Sequence, residues 1–264
     1  MHSKLTKIID SREKSFKKQS RINYEKNASK RPRLFNTLSE LSSKAVAIIA
    51  EIKTASPSRG NILSNVDEIG DRIRAYQAAN VQGISILTEP EIFNGSYDHL
   101  QLAVRETSLP ILCKDFNICK GQLEFASTIG ASAALIIAKV KKSLELIGTC
   151  LDLGMEPLLE IHDFQDLEKI TPIVRRDERI RLIGINNRDL NTMKVDLNIA
   201  KELLPKAREM LGDHVYLISE SGIYEKHDIK ALHEIGAEAF LIGSSLMDTP
   251  TGRIKQKINS LREI

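Results

Sequence analysis

Cysteine is scarce in this chain: among 264 residues only Cys113, Cys119 and Cys150 occur, an odd number without a C-x-x-C pair. A disulfide framework or structural zinc site therefore has no support, and the thiols read as buried or incidental ones in a reducing compartment. The six histidines, His2, His99, His162, His214, His227 and His233, show no H-E-x-x-H or comparable spacing, so no metal is expected. Missing too are an apolar run near the roughly 20 residues of a membrane span and a secretory core behind Met1-His2-Ser3-Lys4-Leu5. The expected location is the cytoplasm, with no membrane partner. No low-complexity tract or linker divides the chain, so residues 1–264 are expected to form one domain.

What is present is ordinary for a folded globular protein: 42% apolar and 28% charged residues. A chain of this length buries roughly 75% of its unfolded surface without staples. The net charge of +3 conceals an imbalance. Residues 1–33 carry eleven Lys or Arg against three Asp or Glu, a local +8 that leaves −5 for the rest. A basic arm could contact nucleic acid or attract an anionic small substrate. Leu5, Ile8, Ile9 and Phe16, however, recur at near-helical spacing among these charges. The favoured reading is an amphipathic helix leaning on the main body, with no nucleic-acid partner.

Beyond residue 44, short Val-, Ile- and Leu-rich runs recur at 45–52, 83–88, 110–114, 133–138, 156–160, 181–186, 215–219 and 239–243. They lack apolar/polar alternation, as strands covered on both faces do. Helical stretches separate them, at 66–79, 121–129, 143–153, 197–204 and 226–235, several ending at glycine (Gly130, Gly154, Gly236). Eight strand–helix units predict an α/β fold, a closed (β/α)8 barrel over 44–264, with a helical N-terminal extension over 1–43. A doubly wound sheet usually has fewer strands.

Positions i and i+2 of a strand share a face. Ile49 leads to Glu51 and Lys53, Leu112 to Lys114, Leu158 to Glu160, Gly184 to Asn186 and Arg188, and Ile218 to Glu220. If the apolar members fill the barrel interior, the polar ones continue each column to the C-terminal mouth, where barrel active sites assemble. Charged residues also end strands simply to meet water, but five strands of matching polarity at one rim exceed that explanation. Ammoniums and carboxylates sharing a cleft suit proton transfer. Two glycine turns follow the last two strands, Ser219-Glu220-Ser221-Gly222-Ile223 and Ile242-Gly243-Ser244-Ser245. In barrels these loops frequently hold phosphate, and Arg188 could add a bidentate contact.

The run Ala50-Glu51-Ile52-Lys53-Thr54-Ala55-Ser56-Pro57-Ser58-Arg59-Gly60 resembles the first strand and loop of the indole-3-glycerol phosphate synthase family. Phe93-Asn94-Gly95-Ser96, Cys113-Lys114-Asp115-Phe116, Leu159-Glu160-Ile161-His162, Gly184-Ile185-Asn186-Asn187-Arg188 and Ser219-Glu220-Ser221-Gly222 agree in order. The resemblance implies a cofactor-free barrel lyase of tryptophan biosynthesis. It acts on a phosphorylated small molecule, 1-(2-carboxyphenylamino)-1-deoxyribulose 5-phosphate, closing the indole ring with loss of carbon dioxide and water. By the same resemblance Lys114 is the general acid and Glu160 handles protons in the dehydration. Lys53, ion-paired with Glu51, binds the substrate carboxylate; Asn186 orients groups and Glu220 fixes an ammonium. Ser56, Pro57, Ser58, Phe93, Asn94, Phe116, Leu135 and Arg188 fall to substrate binding, with Ser221, Gly222, Gly243 and Ser244 on the phosphate. A monomer is expected, with association with other tryptophan-pathway enzymes left open. Departures are Ala79-Asn80-Val81-Gln82-Gly83, in place of the usual Gly-Gly-Ala turn, and Met193. Competing readings are a Schiff-base aldolase, a phosphoribosylanthranilate isomerase and a phosphate-ligand sensor on the same barrel.

Overall fold

The structure, a computed structural model, describes residues 4–19, 24, 27, 31–41, 46–56, 60–63 and 65–264. Eight parallel strands close on themselves: β1 (Ala47–Ile52), β2 (Gly83–Leu87), β3 (Ile111–Lys114), β4 (Ala133–Ile137), β5 (Glu156–Ile161), β6 (Leu182–Asn186), β7 (Tyr216–Glu220) and β8 (Ala239–Ile242). Each pairs with its sequence neighbours, and β1 closes the ring against β8 through Ala47↔Ala239 and Ile49↔Leu241. All eight strands fall on the apolar runs, with ends moved by a residue or two.

The period-two columns explain the packing. Ile49, Leu112, Leu135, Leu158, Leu182, Ile218 and Leu241 form the barrel interior, whereas Ile48, Ile52, Ile84, Ile136, Leu159, Ile183 and Leu217 face the surrounding helices. Because both faces are covered, the strands are apolar over most of their length, and their charged side chains lie at or next to the strand ends.

The N-terminal extension caps the barrel at both ends. Helix α1 (Lys4–Gln19) lies at the C-terminal mouth, and α2 (Leu34–Ser39) plugs the opposite end with Leu34 and Leu38, both fully buried. Glu156, at the start of β5, accepts the Leu34 N–H at 2.5 Å and so satisfies an otherwise orphaned donor at the start of α2. The buried stripe of α1 differs from the apolar one expected: Ile8 is buried, but Arg12 and Ser15 are as well. Arg12 donates from Nε and Nη2 to the two carboxylate oxygens of Asp115, at 2.8 and 2.7 Å. A bidentate partner is what makes that buried charge tolerable.

Two helices differ from expectation. The stretch 143–153 is broken into Lys141–Leu144 and Ile147–Asp152 by a tight turn in which the Leu146 N–H bonds the Ser143 carbonyl at 3.0 Å, while the Ser143 hydroxyl accepts the Ile137 N–H at the end of β4. The helix expected to stop at 204 continues as Asn198–Leu211 through Pro205. Pro205 is exposed, so water can satisfy the carbonyl it orphans, and burial of Ala207 and Leu211 offsets the roughly 3 kcal/mol cost of an interior proline. Asn80 holds φ 54°, a left-handed conformation that asparagine tolerates better than most residues. Among the described residues no helix is long and apolar enough to cross a membrane.

Candidate active site

The strand columns converge on a cavity of about 290 Å³ at the C-terminal mouth. Of the residues singled out from the sequence, Glu51, Lys53, Phe93, Lys114, Phe116, Leu135, Glu160, Asn186, Arg188, Glu220, Ser221, Gly222, Gly243 and Ser244 line it. Asn94 does not. It is exposed, closes a short helix (Pro90–Phe93) with φ 49°, and its carbonyl accepts the Thr54 hydroxyl at 2.6 Å. Pro57 and Ser58 lie outside the described residues. Of Ser56 only the backbone is described, in a two-residue antiparallel hairpin, Ala55–Ser56 with Gly60–Asn61.

Lys114 ends β3, and its Nζ donates to Glu160 Oε2 at 3.0 Å and to Glu220 Oε2 at 2.7 Å. Both carboxylates are almost wholly buried, at 2% and 1% side-chain exposure. Burial alone would lower the affinity of Lys114 for its proton. The charges of Glu160, then Glu220 and Glu51, outweigh that and raise its pKa well above the usual lysine range, so it stays an ammonium. One ammonium cannot compensate two carboxylates equally. Burial pushes Glu220 up, the Lys114 charge only partly corrects this, and Glu160 repels it further, leaving it at about 7. Glu160 is driven up by burial but pulled below the ordinary carboxylate range by Lys114 and then His162. Asn186 donates from Nδ2 to Glu160 Oε2 at 3.0 Å, fixing the same oxygen that Lys114 holds.

Across the cavity, Lys53 sits 3.6 Å from Glu51 and donates to the Ser244 hydroxyl at 2.9 Å. Two glycines make this packing possible. A Cβ on Gly184 would fall well inside contact distance of Glu220 Oε1, and one on Gly243 would do the same to Glu51 Oε1. Glu220 Oε1 has no hydrogen-bond partner among the described residues. The turn beyond β7 carries left-handed backbone at Ser221 (φ 66°) and Gly222 (φ 82°), unusual for the serine and a strain of order 1 kcal/mol retained beside the cavity. Arg188 lines the wall and donates to the Met193 carbonyl at 2.9 Å, while Met193 itself holds φ 63°.

Sequence reasoning missed several lining residues. Ile8 arrives from α1, and Leu190, Met193 and Tyr224 from loops, none of them marked by a strand column. Glu89 is buried and caps the helix after β2, accepting the backbone N–H groups of Glu91, Ile92 and Phe93. The Glu-Pro step at a strand end was its available signal. No group of three or more His, Cys, Asp or Glu side chains among the described residues is placed to hold a metal ion.

The family model described as indole-3-glycerol phosphate synthase matches residues 3–261. The chain belongs to the indole-3-glycerol phosphate synthase family. Relatives carrying that description include one from Sulfurimonas denitrificans, 40% identical over 83% of this chain and 81% of its own length. Another, from Methanopyrus kandleri, is 38% identical over 80% of this chain and 81% of its own. One from Acaryochloris marina is 40% identical over 76% of this chain, which spans 66% of that relative's length. Among solved structures, a mutant tryptophan synthase alpha-subunit from Pyrococcus furiosus superimposes with a TM-score of 0.60 over 81% of this chain and 97% of that one. At 15% identity that likeness speaks for the barrel fold alone. Enzymes of the indole-3-glycerol phosphate synthase family are carboxy-lyases of tryptophan biosynthesis, and their substrate is a phosphorylated small molecule.

Proposed function

We propose that this protein closes the indole ring of 1-(2-carboxyphenylamino)-1-deoxyribulose 5-phosphate, releasing carbon dioxide and water, by lysine and glutamate acid–base catalysis. The observation that carries this reading is the Lys114 ammonium held between Glu160 and Glu220 beside an apolar wall. When the carboxylate-bearing ring carbon attacks the ketone, charge develops on the carbonyl oxygen, and Lys114 delivers a proton to it. An ammonium with a raised pKa suits an alkoxide acceptor and is a poor amine nucleophile, which disfavours the Schiff-base alternative.

Loss of carbon dioxide leaves a hydroxyl that must depart as water while a proton leaves the ring system. Glu160, kept ionised, accepts that proton; Lys53 assists the hydroxyl after first pairing with the substrate carboxylate. Glu51 and Glu220 hold the two ammoniums and Asn186 orients Glu160. The aromatic ring lies against Phe93, Phe116 and Leu135, where confinement brings carbon and ketone together. Phosphate binds Ser221, Gly222, Gly243 and Ser244, with Arg188 close by. Ser56 and Ser58, in the segment that follows β1 in sequence, complete the substrate contacts, whereas Asn94, outside the cavity, holds the start of that segment through its carbonyl and the Thr54 hydroxyl. The chain acts as a cytoplasmic monomer, which size-exclusion chromatography with light scattering checks.

The test is fluorescence-detected formation of indole-3-glycerol phosphate from the carboxyphenylamino substrate. Turnover by the purified protein is the expected result. Tight binding of the substrate without product would point instead to a sensor, and a borohydride-trapped adduct on Lys53 or Lys114 to an aldolase.

A further inference from the structure

Glu160 has a second neighbour, one that is not part of the cavity lining. His162, two residues on from Glu160 and itself buried, places Nε2 3.3 Å from Glu160 Oε1 and Nδ1 3.7 Å from Asp166 Oδ2. These are ionic approaches rather than aligned hydrogen bonds. The ring is nonetheless confined, since Asp166 also accepts the His162 backbone N–H at 3.1 Å. His162 is absent from the cavity lining, so it cannot touch substrate directly.

We propose that His162 is the positioning residue of Glu160: wedged between Glu160 and Asp166, it holds Glu160 Oε1 away from the cavity and leaves Oε2, shared with Lys114 and Asn186, to meet the substrate. The inference rests on the acid–base reading of Glu160 given above. Two oxygens of one carboxylate thus have separate duties. Oε2 faces the groups that change during turnover, while Oε1 is anchored to a group that does not.

The charges around the pair support this division. Lys114, Glu220 and Asn186 face Glu160 from β3, β7 and β6, and His162 lies on its own strand side. His162 is faced by Glu160 and by Asp166 from helix Phe164–Val174. Asp166 in turn meets Lys139 at 3.7 Å and Lys169 at 3.1 Å, and Lys139 also pairs with Asp163 and feels Asp189. Burial lowers the proton affinity of His162, but the two carboxylates more than restore it, to about 9. The ring is therefore positive at neutral pH and, with Lys114, keeps Glu160 ionised.

The experiment compares wild type with His162→Gln and, as a second perturbation retaining the ring, Asp166→Asn, each first checked for folding by circular dichroism. Two readouts are taken: kcat against pH with the carboxyphenylamino substrate, and the titration midpoint of the Glu160 carboxyl carbon by NMR of protein labelled at glutamate carboxyls, assigned by its loss in Glu160→Gln. The expected result is an acid limb of kcat, and a Glu160 midpoint, raised by about one pH unit or more in His162→Gln and by less in Asp166→Asn. That corresponds to about tenfold lower kcat on the acid side with recovery at alkaline pH. KM should stay within about threefold. A uniform fall in kcat with an unmoved acid limb, or an unmoved Glu160 midpoint, overturns the proposal. Because the NMR midpoint needs no turnover, a wild-type protein that makes no product defeats the acid–base reading while the midpoint still decides the role of His162.

Discussion

Gly184 offers the sharpest test of how the acid–base cluster is built. It lies in β6, opposite Glu160 on β5 and Ile218 on β7. In Gly184→Ala the new methyl would lie inside contact distance of Glu220 Oε1 and 3.2 Å from Glu220 Cδ, with Leu158 Cδ1 at 3.5 Å on the other side. Backbone strain is not involved, so any effect comes from space. The buried carboxylate must swing, and the swing lengthens its 2.7 Å hydrogen bond to Lys114. Overpacking a core typically costs about 1–3 kcal/mol. A charge-assisted hydrogen bond is worth about 1.5–3 kcal/mol. One movement relieves the first by sacrificing part of the second, so the two do not add, and about 2–3 kcal/mol of stability should be lost. Lys114 would keep Glu160 but lose its second anchor. If about 1.4–2.8 kcal/mol of transition-state stabilisation goes with it, kcat falls roughly 10- to 100-fold. Urea unfolding and fluorescence-detected turnover measure both quantities. Gly148→Ala, whose added methyl meets open space at an exposed position of its helix, is the control and should stabilise by about 0.5–1 kcal/mol with turnover unchanged. Gly184→Ala with turnover within twofold of wild type and an unaltered urea midpoint would refute the packing argument.

Three further outcomes are expected. Lys114→Ala and Glu160→Gln should each abolish most turnover while a phosphorylated substrate analogue binds within about tenfold of wild type, roughly 1.4 kcal/mol, by calorimetry; wild-type-like kcat in either removes that residue from its role. Arg12→Met should cost about 3–5 kcal/mol in urea unfolding, because it strands the buried Asp115 carboxylate, and adding Asp115→Asn should recover part of the loss. If the single variant unfolds at the wild-type midpoint, the Arg12–Asp115 pair does not pin α1. Finally, His162 is raised from 6.5 to about 9, so its contribution to stability is complete below about pH 6.5 and is lost as pH climbs through about 9. The urea midpoint of wild type should therefore fall between pH 7 and 10 more steeply than that of His162→Gln, and parallel curves would contradict it.

Much of the site was legible from spacing alone, for a definite reason. A barrel strand is covered on both faces, so a polar residue two places beyond an interior leucine can only be at the rim. Leu112→Lys114, Leu158→Glu160 and Ile218→Glu220 each announced a side chain pointing into the mouth. What spacing could not supply was distance between columns. That Lys114 sits between Glu160 and Glu220 depends on the curvature that brings β3, β5 and β7 to one centre. That Gly184 exists to make room for Glu220 depends on a contact between neighbouring strands. The α1 helix shows the same division: its amphipathic period was visible, yet its buried stripe holds Arg12, because the partner that permits this, Asp115, lies 103 positions away.

The sequence by itself determined which residues form the eight strands, which face each presents, and which polar side chains reach the C-terminal rim, since all three follow from a local period of two and from covered faces. Only the tertiary structure decided who neighbours whom at that rim, and therefore which carboxylate stays ionised, which is raised toward neutrality, and which glycines must stay small. Those properties arise from charges and atoms a few ångströms apart in space but far apart along the chain, and ring closure alone sets that spacing.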